Sequence, residues 1–149
     1  MYNDLTRAAI EARLATRRMG RNLELYDEID STNTRAVALA RSGAPDGTLV
    51  LAEQQTQGRG RLGRRWYAPA GSALLLSIVL RPPLAPRQAQ RATMLCALAA
   101  LAALRQVCGL EAQVKWPNDL LLRGKKLGGI LAELELFGER LDYVIVGMG

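Results

Sequence analysis

Two short segments of this 149-residue chain carry side chains that could act on paired anions. The first, residues 58–66 (GRGRLGRRW), holds four arginines and three glycines. Glycines let a backbone fold closely around a ligand and move when the ligand leaves. Guanidinium groups hold carboxylates and phosphates through paired donors. A segment with both properties suits two anions that must be brought together, as in the formation of an acyl-adenylate.

The second segment, residues 115–119 (KWPND), places a cation, a rigid proline and a carboxylate beside one another. The ordinary interpretation is a strand end followed by a Pro-Asn-Asp turn. The functional interpretation is a nucleotide site, because Lys115 ends an apolar strand and Asp119 could help to hold Mg²⁺. Spacing alone leaves both interpretations open.

The arginine-rich segment also has more than one interpretation. It could be a solvated surface loop or a non-specific nucleic-acid contact, as glycine–arginine segments can be. Nucleic-acid grooves usually add several stacking aromatic residues, whereas only Trp66 and Tyr67 are close here and aromatics make up 5% of the chain. The segment lies between two apolar stretches, which favours a lid over a small-ligand pocket at the end of a sheet.

Two further segments combine polar groups with an expected secondary-structure boundary. Residues 30–33 (DSTN) are capping residues at the start of a helix, and they could also hold a polar ligand head such as a urea. Lys125 and Lys126 precede two glycines. Because successive side chains of a strand point to opposite faces, only one of these lysines can reach a pocket.

Composition indicates one soluble globular domain, with 49% hydrophobic and 23% charged residues. The net charge of +6 favours anionic partners without selecting among them. The chain has no histidine, so its chemistry must rely on Lys, Arg, Asp or Glu. Cys96 and Cys108 are expected to be reduced packing residues. The apolar run 94–104 is expected to be too short for a bilayer, and without a signal peptide the expected location is cytoplasmic.

Hydrophobic periodicity predicts an α+β domain, in which helices pack on one face of a mixed, largely antiparallel sheet. The expected helices cover residues 5–18, with Asp4 as a possible N-cap, 34–42 and 87–107. The expected strands cover residues 23–29, 48–53, 73–80, 112–116, 120–122, 127–136 and 142–149. The last of these strands has no cap or polar tail, so the sequence looks cut.

Taken in order, four motifs resemble the catalytic domain of the biotin–protein ligases (biotin–acetyl-CoA-carboxylase ligases). They are DSTN at 30–33, EQQTQGRGR at 53–61 continuing to Trp66, KWPND at 115–119 and KLGGILAE at 126–133. The resemblance runs from about Leu25 to the last residue. It implies a class II synthetase-like fold, as in biotin–lipoate ligase catalytic domains. It also implies that residues 1–149 are one catalytic domain, incomplete at its C-terminus, without the family's small β-barrel domain or N-terminal DNA-binding domain.

The resemblance implies that biotin attacks ATP to give biotinyl-5′-AMP, and that a lysine of a biotin carboxyl carrier protein then takes the biotinyl group. Lys126 and Arg61 would be catalytic. Biotin would be held by Ser31, Thr32, Asn33, Gln55, Arg59, Gly60, Arg61 and Lys126. ATP would be held by Arg64, Trp66, Lys115, Asn118 and Asp119, with Trp66 stacked on adenine and Asp119 also binding Mg²⁺.

The expected partners are therefore biotin, ATP, Mg²⁺ and a carrier domain, with no DNA and no membrane; a homodimer stays open. Two alternatives also stay open. One is a lipoate or octanoate transferase of the same fold, although those relatives usually show an Arg-Arg pair followed by a glycine-rich run that this chain lacks. The other is a truncated module that binds biotin without turnover.

Overall fold

The computed structural model describes residues 5–149, which form three α-helices and seven strands. In chain order they are α1 Arg7–Arg13, β1 Leu23–Ile29, α2 Thr32–Arg41, β2 Leu49–Gln55, β3 Leu75–Leu80, α3 Gln90–Cys108, β4 Gln113–Lys115, β5 Asp119–Leu122, β6 Lys125–Phe137 and β7 Arg140–Met148. Each predicted element is present within a few residues of its predicted bounds, except α1.

The first helix is shorter than the predicted 5–18. It is capped by Thr6, whose side chain accepts a hydrogen bond from the backbone of Ala9, and it ends at Arg13. No residue of α1 is buried, so packing against the sheet does not extend it. Asp4, the expected cap, lies outside the described residues.

All seven strands form one sheet in the order β1-β2-β3-β7-β6-β5-β4. Only β1 and β2 run parallel; every other neighbouring pair is antiparallel. The sheet is therefore mixed and largely antiparallel, which confirms the predicted fold class. Strand β7 lies at the centre, between β3 and β6, and joins the first three strands to the last three.

Helices cover both faces of this sheet, so the expectation that they pack on one face is wrong. On one face α2 packs through Ala36 and Ala40 into a cluster that includes Val50, Val79, Tyr143 and Ile145. On the other face α3 packs through Ala92 and Ala97 into a cluster that includes Leu120, Ile130, Val144 and Val146. Residues 143–146 of β7 therefore alternate between the two cores, as a strand buried on both faces must.

Helix α3 bears on one expectation about membranes. Together with the turn before it, the segment Pro86–Cys108 has 23 residues and a mean hydropathy of 1.3, so by length and composition it could cross a bilayer. The expectation concerned only the shorter run 94–104, and it does not extend to this longer segment. Its buried alanines lie in the domain core, and the core helix of a globular domain can have the same length and composition.

The two cysteines are free, and they differ in their surroundings. Cys96 packs against the core cluster under α3, where burial raises the pKa of its thiol. Cys108, at the end of α3, is exposed. The prediction of a packing role therefore holds for Cys96 and is wrong for Cys108.

Candidate active site

The start of α2 brings the first group of predicted residues to one end of the sheet. Ser31 is the N-cap and is 2% exposed. The Thr32 backbone N–H and hydroxyl donate to Gln55 Oε1 at 2.7 and 3.0 Å, which ties α2 to the end of β2. Thr32 and Gln55 therefore satisfy each other's hydrogen-bonding groups, and together with the cap Ser31 they form a rigid polar floor.

A residue of the central sheet completes this floor. Ser77 of β3 is fully buried, and its hydroxyl lies 2.8 Å from Thr32 Oγ1 and 2.5 Å from Asn33 Oδ1. Opposite Ser77 on β7 is Gly147. A Cβ at Gly147 would overlap the Asn33 amide oxygen, so the glycine makes room for that side chain.

The arginine-rich segment is a small hairpin, which we call the arginine hairpin (residues 58–66). Arg59 and Arg65 form an antiparallel bridge, and the Gly60 and Trp66 backbone N–H groups donate across the hairpin to Arg64 O and Gly58 O at 2.7 and 2.8 Å. At its tip Leu62 has a left-handed backbone and an 88% exposed side chain.

Side-chain contacts fasten the arginine hairpin to the sheet and to the 115–119 segment. Arg59 Nη2 donates to Glu133 Oε2 on β6 at 2.9 Å. Arg61 Nη1 donates to Asn118 Oδ1 at 3.0 Å. The two motifs singled out in the sequence, which are more than fifty residues apart, therefore touch directly.

The indole ring of Trp66, the last residue of the hairpin, lies close to a lysine that pairs with a carboxylate. Lys126 Nζ is 2.8 Å from Asp119 Oδ1 and 5.3 Å from the centroid of the Trp66 ring. The indole lies against Gly129, where a Cβ would stand 3.3 Å from the ring. Trp66 Nε1 is buried against Gly149 and has no hydrogen-bond partner among residues 5–149.

These groups surround one cavity of about 290 Å³, close to the lower size of small-ligand pockets. Twelve of the thirteen predicted site residues line it: Ser31, Thr32, Asn33, Gln55, Arg59, Gly60, Arg61, Arg64, Trp66, Asn118, Asp119 and Lys126. Lys115 does not; it lies exposed in β4, the edge strand of the sheet. Lys126 lines the cavity and Lys125 does not, as strand alternation predicted.

The cavity wall is strongly cationic. Arg59, Arg61, Arg64, Arg65 and Lys126 line it, against the single carboxylate of Asp119. Of these five cations, only Arg59 and Lys126 have carboxylate partners within the described chain. The remaining guanidinium groups are therefore free to receive anionic ligands.

Sequence reasoning missed three contributors. Ser77 left one weak signal, as a polar residue inside an apolar strand. Gly147 lies in the apolar C-terminal strand, where nothing indicates which side chain will approach it. Glu133 belongs to the fourth motif, but only its contacts with Asn33 and Arg59 give it a place in the site.

Comparison with known proteins places this architecture among characterised relatives. The model of the biotin/lipoate A/B protein ligase family matches residues 25–149. The bifunctional ligase/repressor BirA of Bacillus subtilis is 39% identical over 145 residues, which are 97% of this chain and 45% of that protein. The biotin–acetyl-CoA-carboxylase ligase of Mycobacterium tuberculosis is 42% identical over 134 residues, covering 87% of this chain and 48% of that protein.

A solved structure agrees. The biotin protein ligase from Aquifex aeolicus, in complex with biotin and ATP, superposes with a TM-score of 0.69 at 34% identity. The match covers 86% of this chain and 51% of that one. The chain thus spans about half the length of the curated relatives it matches.

Proposed function

Because the chain belongs to the biotin/lipoate A/B protein ligase family, we propose that it activates biotin with ATP and transfers the biotinyl group to a lysine of a biotin carboxyl carrier protein. One observation carries the proposal: a single cavity joins a buried polar floor to a cluster of cations and an indole ring. A ligand with a polar head and a carboxylate tail, next to a nucleotide, matches that arrangement. The names of the relatives, which refer to biotin, support the same assignment.

The polar floor is proposed to bind the biotin head. Thr32 and Gln55 hold each other by hydrogen bonds, and Asn33 is held by Ser77 and Glu133, so these side chains can select a ureido group at little cost in conformational entropy. Ser31, Arg59 and Gly60 line the same cavity and complete this subsite. The carboxylate tail would then extend toward Lys126.

The cations are proposed to promote adenylation. A carboxylate oxygen of biotin attacks the α-phosphorus, the bond from that phosphorus to the bridging oxygen breaks, and pyrophosphate leaves. The reactants are both anionic, so fixed positive charge is needed where they meet. Lys126 and Arg61 would hold the carboxylate and the α-phosphate, and Arg64 the departing phosphates. Positioning and charge account for the rate, since phosphoryl-type chemistry asks for little else.

The nucleotide is proposed to lie against Trp66 and the 115–119 segment. The indole ring offers a stacking surface for adenine, and Asn118 already contacts the hairpin through Arg61. Lys115 is exposed on β4, so its proposed role with phosphates would require the nucleotide to extend toward that edge.

Magnesium fits this site as an ion carried by the nucleotide. Among residues 5–149 no three His, Cys, Asp or Glu side chains group together as a protein-made metal site would require. Mg²⁺ at nucleotide sites uses one or two carboxylates together with phosphates, and Asp119 supplies one. We propose that Asp119 holds this ion, which would neutralise phosphate charge.

The second step is proposed to transfer the biotinyl group to protein. A lysine amine of the carrier attacks the acyl carbon of the mixed anhydride, the bond to AMP breaks, and the amine proton is lost. The mixed anhydride hydrolyses readily, so the arginine hairpin would exclude water until the carrier lysine reacts with it.

The direct test measures both steps. Incubation with biotin and Mg·ATP should release pyrophosphate. Addition of a carrier domain should increase the carrier's mass by one biotinyl group, and a carrier in which the acceptor lysine is changed to arginine should gain none. If the chain binds biotin without releasing pyrophosphate, it is a binding module and the ligase proposal is wrong.

Comparing the binding of lipoate with that of biotin tests the remaining alternative. A lipoate or octanoate transferase would bind lipoate more tightly than biotin. The proposal expects the reverse order in calorimetric titrations with the two acids, because a ureido head finds complementary groups at Asn33 and Thr32 and a dithiolane ring does not.

A further inference from the structure

We propose that Glu133 is a positioning residue that fixes the orientation of the Asn33 amide and holds the arginine hairpin over the cavity. The identity of the ligand in this inference rests on the proposed function. The contacts of Glu133 that carry it do not. Glu133 does not line the cavity; it lines a neighbouring groove with Gln57 and Ala132. It therefore acts on the ligand through Asn33 and Arg59.

The first contact sets which end of the amide meets each neighbour. Asn33 is 4% exposed, and its Nδ2 donates to Glu133 Oε2 at 2.8 Å. An ionised carboxylate only accepts hydrogen bonds, so it requires the NH₂ group to face it. The amide oxygen must then face Ser77, whose hydroxyl lies 2.5 Å away. The Leu131 carbonyl on β6 also accepts from Asn33 Nδ2, at the longer distance of 3.5 Å. Without the carboxylate, only this longer contact on β6 opposes a half-turn of the amide that would exchange donor and acceptor.

The second contact ties the hairpin to the same atom. Arg59 Nη2 donates to Glu133 Oε2 at 2.9 Å, and it also lies 3.4 Å from Thr34 Oγ1 on α2. One carboxylate oxygen therefore serves both the polar floor and the hairpin. Movement of the hairpin and rotation of the Asn33 amide are consequently coupled.

Strand β6 supplies a matched control two residues further on. Glu135 lies on the same face as Glu133, and it also pairs with an arginine, Arg41, at 3.0 Å. It accepts from the Tyr143 hydroxyl at 3.3 Å. Neither partner belongs to the cavity or the hairpin, so Glu135→Gln removes a comparable ion pair and leaves the site untouched.

The test compares Glu133→Ala, Glu133→Gln and Glu135→Gln in the full chain, after thermal melts have shown that each variant folds. Biotin affinity is measured by calorimetry, and the KM values for biotin and ATP by pyrophosphate release. Glu133→Ala should weaken biotin binding about tenfold, since a buried amide donor loses the closer of its two acceptors. The KM for biotin should rise, and the KM for ATP should rise with it, because Arg61, Arg64 and Trp66 belong to the hairpin that loses its tether and are proposed to hold the nucleotide. Glu133→Gln should recover part of the loss, and Glu135→Gln should match wild type.

A second readout needs no ligand. Trypsin cuts after arginine, and the hairpin carries four arginines. In the free protein, Glu133→Ala should increase cleavage within residues 58–66 several-fold, and Glu135→Gln should not. Folded Glu133 variants with wild-type biotin affinity and wild-type cleavage would overturn the inference. A wild-type chain that binds no biotin, together with faster hairpin cleavage in Glu133→Ala, would overturn the proposed function and support the tether.

Discussion

The Asn33 amide occupies the space that a side chain at position 147 would need. A Cβ at position 147 would overlap the Asn33 amide, and its three nearest heavy atoms would all belong to that side chain. Because only the Asn33 side chain stands in the way, truncating that side chain should remove the loss of stability caused by a side chain at position 147.

We predict that Gly147→Ala lowers the free energy of unfolding by about 1–3 kcal/mol through overpacking and weakens biotin binding. In an Asn33→Ala background the same substitution should cost almost nothing. A double-mutant cycle by chemical denaturation measures this coupling. Equal costs in both backgrounds would show that the clash lies elsewhere.

Lys126 and Lys125 offer a second comparison between adjacent residues. Both lysines are exposed, but Lys126 lines the cavity beside Asp119 and Lys125 does not line it. We predict that Lys126→Ala weakens retention of labelled biotinyl-AMP about 10- to 100-fold, as expected when a charged hydrogen bond is lost. Lys125→Ala should retain the label like wild type. Comparable losses in both variants would argue against a specific contact.

At the scale of single residues, the sequence could identify side chains whose chemistry is unusual for their surroundings. The segments that hold Arg61 and Asp119 stood out because their charges accompany glycine or proline, whereas the choice of Lys126 over Lys125 came from the resemblance to the biotin–protein ligases. Ser77 could not be assigned, since its role depends on α2 packing over the middle of β3. Lys115 shows the opposite problem, because nearness to Asp119 in sequence does not bring its side chain into the cavity.

At the scale of elements, α2 is held to β1 by a two-point ion pair beside the polar floor. Arg35 Nε and Nη2 donate to the two carboxylate oxygens of Glu24 at 2.7 and 2.8 Å. The hydrogen bond from Arg35 lowers the pKa of Glu24 from its ordinary value of 4.5. This shift makes the attachment of α2 sensitive to acid.

We predict that Glu24→Gln costs less than about 1 kcal/mol at neutral pH, because the pair is partly exposed. A carboxyl group whose pKa falls on folding stabilises the protein above its unfolded pKa, and the effect is lost as pH drops through the folded pKa. The difference in melting temperature between wild type and Glu24→Gln should therefore be full above about pH 5 and disappear in more acid solution. Glu28→Gln, which removes no ion pair of residues 5–149, should show no such trend.

Most helices and strands were predictable because each one carries its own hydrophobic period and its own terminal residues. Their order in the sheet was not, since β7 pairs with β3 across more than sixty residues. Local sequence contains no signal for such a pairing. The early end of α1 was also missed, because its amphipathic pattern continues past Arg13 although no packing surface follows.

For the molecule as a whole, positive charge is concentrated around the cavity. Five cations and one carboxylate line it, within a chain of net charge +6. ATP carries several negative charges and biotin only one. We predict that raising salt from about 50 to 500 mM weakens ATP binding much more than biotin binding, because screening shortens the reach of the field to a few ångströms. Parallel calorimetric titrations check this. Equal salt dependence would show that the cations do not act on the phosphates.

The central position of β7 has a consequence for synthesis in the cell. Strands β1 to β3 leave the ribosome first, followed by β4 to β6, and the two groups have no shared neighbour until residues 140–148 emerge. Before that moment the inner edges of β3 and β6 are unpaired, and the two walls of the cavity are not yet joined. A nascent chain stalled short of residue 140 should therefore be captured by chaperones and should not bind biotin. Once residues 140–148 have emerged, β7 can pair with both β3 and β6, which covers their inner edges and joins the two walls of the cavity.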